Sequence, residues 1–104
     1  MATNYMNSGD TVTLPAPTGG SVKGVPQVIN DLAVMPLESG AKGAPITYRT
    51  AGAWSVPADA ALKAGNAASV KDGALVVPGT DGSKPYGKLL SDSAGGYAEV
   101  LIVQ

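Results

Sequence analysis

Ala68-Ser69-Val70-Lys71-Asp72-Gly73-Ala74-Leu75-Val76-Val77 decides the fold class. Two short apolar segments, residues 68–70 and 75–77, flank an Asp-Gly pair. That pair is a strong hairpin signal, because both residues tolerate the positive φ of a twisted two-residue turn. The same grammar runs outward in both directions. Glycine (14) and proline (8) make up 22 of the 104 residues, and they break the chain at roughly ten-residue intervals, the rhythm of many short strands joined by turns.

Upstream, Thr11-Val12-Thr13-Leu14 alternates, with Val12 and Leu14 on one face. Pro15 and Pro17 stop it, since proline cannot donate to a ladder. Val25 to Ile29 and Leu32 to Leu37 read as strands of a hairpin about Asn30-Asp31, with Pro26 and Pro36 pushing parts of them towards edges or bulges. Ile46 to Thr50 and Ala53 to Val56 follow as strands, with a bend or bulge at Gly52. Downstream, Thr80-Asp81-Gly82-Ser83 reads as a second Asp-Gly hairpin turn, and Tyr86 to Leu90 as a strand interrupted by Gly87. The most hydrophobic segment is Tyr97 to Val103. It sets Ala98, Val100 and Ile102 on one face and Tyr97, Glu99, Leu101 and Val103 on the other. A strand apolar on both faces is expected to be buried on both, within the fold or against a neighbouring subunit.

The best helix candidate is Ala58 to Ala64. Pro57 precedes it, Asp59 lies near its start, Lys63 near its end, and Gly65 closes it, the order that helix termini and the macrodipole favour. The sum is an all-β fold, a small β-barrel or sandwich of about eight short strands with one short helix. Residues 1–9 are polar apart from Tyr5 and Met6 and read as an extended N-terminal arm ahead of a single β domain at 10–104. Such an arm would bind a partner by adding a strand to its sheet edge.

Composition bounds the function. Charged residues are 14% of the chain, against ~25% for a typical soluble domain, and the mean hydropathy is +0.11. A small free monomer normally carries more charge, so part of the surface is expected to be covered in an oligomer or larger assembly. The net charge is −1, and Arg49 is the only arginine beside six scattered lysines, which leaves no electrostatic footprint for nucleic acid. No apolar run approaches the ~18 residues of a membrane span. Met1-Ala2-Thr3-Asn4-Tyr5 lacks the basic and apolar regions of a signal peptide.

The chain has no histidine and no cysteine, so the commonest general base, metal ligands and thiol nucleophile are missing. Gly79-Thr80-Asp81-Gly82-Ser83-Lys84 has the wrong order and spacing for a phosphate loop. Most carboxylates fall in turns, where aspartate caps amides; Glu99 alone sits mid-strand. No acid cluster has the spacing of a calcium loop. The reading is a non-enzymatic module without metal or cofactor. Trp54 and the tyrosines could form a stacking surface, but stacking platforms for nucleic acid work beside a basic groove. Trp54 is therefore read as core or subunit interface.

One run carries a resemblance. Gly9-Asp10-Thr11-Val12-Thr13-Leu14-Pro15-Ala16-Pro17-Thr18-Gly19-Gly20-Ser21-Val22-Lys23-Gly24 resembles the opening of a family of small tailed-phage capsid decoration, or cement, proteins, some of which bear a label of recombinase. Gly43 before the strand at 46–50, Gly52, Val56-Pro57, Gly65, Tyr86-Gly87 and the final apolar strand also match that family's landmarks. The chain departs from the pattern at Ser21, which intervenes before Val22, and at Asn66-Ala67-Ala68, where members often have an aspartate and then Val-Tyr.

The resemblance implies a homotrimer on the outer surface of the expanded capsid in the virion, made in the host cytoplasm and clamping major capsid protein subunits. Tyr5, Met6, Val12 and Leu14 are the expected capsid contacts. Trp54, Tyr97, Val100, Leu101 and Val103 are the expected trimer or core contacts. The alternatives are another virion subunit (head–tail connector or tail tube) and a small β-barrel that binds a ligand.

Overall fold

The computed structural model describes residues 10–104. The expected arm, with Tyr5 and Met6, lies outside the described residues. Nine strands form: β1 (Thr11–Pro15), β2 (Gln27–Ile29), β3 (Leu32–Pro36), β4 (Pro45–Arg49), β5 (Ala53–Pro57), β6 (Ala67–Lys71), β7 (Ala74–Val76), β8 (Lys84–Leu89) and β9 (Tyr97–Ile102). They make two antiparallel sheets, ordered β1-β4-β3-β2 and β5-β9-β8-β6-β7.

The turns follow local chemistry. Asp72 and Gly73 both take positive φ (52° and 80°), and Lys71 pairs with Ala74 across them, as a type I′ hairpin requires. Asn30 (φ 57°) turns β2 into β3, with Ile29 opposite Leu32. Pro36 sits past the end of β2, whose pairing stops at Gln27 opposite Val34, so its missing N–H costs no ladder bond. Its carbonyl accepts the Gly24 N–H at 3.1 Å.

Three expectations are corrected. First, Thr80–Ser83 is a turn, with the Ser83 N–H on the Thr80 carbonyl at 3.0 Å, but it is no hairpin. β6 lies between β7 and β8. Its middle residues Ala68, Ser69 and Val70 are all buried, so β6 takes the inner place and shorter β7 the edge.

Second, no helix forms over Ala58 to Ala64. The amides that an α-helix would bond internally go elsewhere. Ala61 N–H donates to the Asp59 carboxylate, Lys63 N–H to the Asn66 side chain and Ala64 N–H to the Asp92 carboxylate, each at 2.9 Å. Seven residues barely nucleate a helix, and aspartate and asparagine compete for its donors. Two successive turns result, with Gly65 at φ 84°.

Third, the barrel does not close. The five-stranded sheet curls until its edge strands meet, but they join only at a parallel bridge between Ala58 and Leu75, with the Asp59 N–H on the Leu75 carbonyl at 3.0 Å. β3 lays Ala33 and Met35 against the inside of the curl, beside Val56, Leu62, Leu75, Tyr86, Leu89 and Val100. Its opposite face gives Val34 to a smaller core with Ala16, Ile46 and Tyr48. β3 is therefore buried on both faces, which β9 is not.

Tyr86 and Gln104 bind the sheets together. Tyr86 donates its hydroxyl to the Val34 carbonyl at 2.8 Å, in full burial. A bulge aims it: Ala68 faces Gly87 while Ser69 faces Pro85, leaving Tyr86 as the extra residue. Gln104 occupies the ladder position that β4 vacates beyond Arg49, which pairs with Met35. Its Oε1 accepts the Ala33 N–H at 3.0 Å, and its Nε2 donates to the carbonyls of Ala33 (2.7 Å) and Thr50 (2.9 Å). Gln104→Ala should cost about 1–3 kcal/mol, because it strips both backbone groups of a buried residue. Urea unfolding checks this, with a lower midpoint at unchanged slope expected.

Candidate functional site

The outer face of the five-stranded sheet presents apolar side chains to solvent. Alternation in β9 sends Ala98, Val100 and Ile102 into the core and turns Tyr97, Glu99 and Leu101 outward. Leu101 is flanked by Ala53 on β5 and Lys88 on β8. Tyr97 stands opposite Pro57, and Glu99 opposite Ser55. Leu90 lies beside Glu99, its N–H on the Glu99 carbonyl at 2.8 Å. The exposed fractions are 55% for Tyr97, 49% for Leu90, 43% for Val103 and 38% for Leu101. These are large apolar residues on one continuous surface, which a free small domain rarely leaves bare.

The charges interleaved among these apolar residues are Glu99 and Lys88, set diagonally across the β8–β9 ladder; Lys71 is exposed farther along the same sheet, on β6. Glu99 and Lys88 do not pair with each other. Among the described residues the one ion pair is Lys84–Asp31 at 3.9 Å, elsewhere on the surface.

The other expected site residues fall in different surroundings. Val100 is fully buried in the larger core. Trp54 is half-buried against that core, with its indole N–H on the Ala51 carbonyl at 3.3 Å. Val12 and Leu14 are half-buried and pack on the smaller core. Tyr97, Leu101 and Val103 are the members of the expected set that reach solvent together. Leu90 and Lys88 belong to the same face but went unnamed in the sequence reading. The Asp-Gly hairpin placed β6 and β7, yet nothing in the chain states that β8 lies beside β9.

An open groove of about 540 Å³ runs between Gly19-Gly20-Ser21 and Val25 on one side and the β6–β7 turn on the other. Its polar groups are largely engaged within the chain. The buried Ser21 hydroxyl bonds Tyr48 and Gln27, each at 2.7 Å, and the Lys84 ammonium donates to the Asn30 carbonyl at 2.8 Å. The groove reads as a seam between the sheets. Burial raises the pKa of the Tyr86 phenol well above the ordinary tyrosine range, and its proton is committed to the Val34 carbonyl.

No protein family, curated protein or solved structure matches the chain.

Proposed function

We propose that this chain is a non-enzymatic structural protein of a tailed-phage virion, a homotrimer that decorates the expanded capsid and bridges major capsid protein subunits. The resemblance of Gly9 to Gly24 and of the later glycine and proline landmarks supports this reading. The observation that carries it is the apolar outer face of Tyr97, Leu101, Leu90 and Val103, which suits a subunit that spends its working life against other proteins. Binding only to the expanded shell shifts the shell towards that state by mass action, and many copies add avidity.

In this reading the capsid contact runs from Tyr5 and Met6 into β1. The Thr50 N–H meets the Asp10 carbonyl, and the Ala16 N–H meets the Ala44 carbonyl. Even-numbered residues of β1 therefore bond β4, and Thr11 and Thr13 turn their backbone groups to the free edge. Val12 and Leu14 hold that edge in place from below. Deleting residues 1–8 is expected to weaken binding to expanded heads by tenfold or more, about 1.4 kcal/mol or above, while leaving the thermal unfolding midpoint unchanged.

The direct test is co-sedimentation with expanded, undecorated heads, with unexpanded heads as control. Saturable binding to expanded heads, near three copies per three-fold position, is the expected result. No binding to either head form would overturn the reading and favour a connector or tail-tube subunit, for which ring assembly by the isolated protein is the next measurement.

A further inference from the structure

We infer that the outer face of the five-stranded sheet is where copies of this chain meet one another, with Lys88 of one copy set against Glu99 of the next. This names the self-association surface of the homotrimer proposed above and rests on that reading.

The argument is one of charge and shape. The β8–β9 part of this face carries four large exposed apolar side chains and one charge of each sign. Glu99 and Lys88 have no ionic partner within 4 Å among the described residues, although β8 and β9 place them on one surface. Burying either charge against an arbitrary apolar partner would be unfavourable. A second copy offsets that penalty, because it brings the opposite charge in the same apolar setting. Around a three-fold axis the Lys88 side of this face on one copy meets the Glu99 side on the next, a head-to-tail contact that closes after three copies. Tyr97, Leu101 and Leu90 would form the dry centre, and the two charges would set register and orientation. The capsid contact then falls to the β1 edge, which belongs to the other sheet.

Charge swapping tests this on the isolated protein. Sedimentation equilibrium of the wild type should show a trimer at micromolar concentration. Lys88→Glu and Glu99→Lys should each weaken association by about 100-fold, since each sets like charges together. The double swap Lys88→Glu with Glu99→Lys should restore it, a rescue that a folding defect cannot mimic. Leu101→Lys should give a folded monomer, and the thermal midpoint of every variant establishes folding. A trimer indifferent to all four variants would overturn this surface while leaving the trimer intact. A wild type that is monomeric yet binds expanded heads would overturn self-association through this face while leaving the capsid reading standing.

Discussion

Gly87→Ala should abolish folding. Gly87 lies within β8, opposite Ile102 on one side and Ala68 on the other. A Cβ built there collides with the Leu101 carbonyl oxygen and falls 3.0 Å from its carbon and 3.2 Å from the Ile102 Cα. All three are backbone atoms, so no rotamer change relieves the clash. β8 and β9 would have to separate, pulling Leu89, Val100 and Ile102 out of register in the larger core. The cost should exceed about 4–5 kcal/mol, a large part of the ~5–15 kcal/mol that holds a domain of this size together. Loss of the far-ultraviolet β signal and of dispersed amide resonances is the expected readout. Gly79→Ala is the control. Nothing lies within 4 Å of its Cβ position, and only its φ of 90° opposes a side chain, so a cost of about 1–2 kcal/mol with the fold retained is expected. A Gly87→Ala protein that unfolds within about 1 kcal/mol of wild type would show that β8 and β9 are not packed this closely.

Tyr86 should give the second largest effect. It is fully buried and lends both ring and hydroxyl to the contact between sheets. Tyr86→Ala opens a cavity in the larger core and should cost about 3–5 kcal/mol. Tyr86→Phe keeps the ring and strands the Val34 carbonyl, for about 1–3 kcal/mol.

The phenol also makes stability depend on alkaline pH. Its folded pKa is raised by burial, above an unfolded value of about 10. Below about pH 10 both states keep the proton and the contribution is whole. Above it the unfolded chain releases the proton first, so stability falls by about 1.4 kcal/mol per pH unit. Tyr86→Phe should lack this component. Urea midpoints of the two proteins, measured at about pH 9 and pH 11, should converge as pH rises. A constant gap would mean that the phenol meets water in the folded state.

Local chemistry reached a long way into this fold. Asp72-Gly73 and Asn30 carry their turn geometry in residue type, because few other residues accept positive φ. Alternation in Thr11 to Leu14 and in Tyr97 to Val103 assigned each residue to a face before any contact was known. The helix over Ala58 to Ala64 failed in part for a non-local reason. Asp92 arrives from 28 positions away to take the Ala64 N–H, and no window around the helix contains it. The candidate site was legible by half. Tyr97, Leu101 and Val103 could be named from their own strand, whereas Leu90 and Lys88 joined them only through the β8–β9 pairing.

The strand class, the turn positions and the apolar pattern are local properties, since they rest on backbone sterics and on periodicity within a few residues. Strand order, the burial of β3 rather than β9 on both sides, and a barrel that closes no further than the Ala58–Leu75 bridge are properties of the whole fold. Those outcomes depend on which strands compete for the same edge and on whether a distant side chain, such as Gln104 beside Ala33, arrives to complete a ladder. That competition is settled by burial summed over the whole chain, which no local stretch of residues encodes.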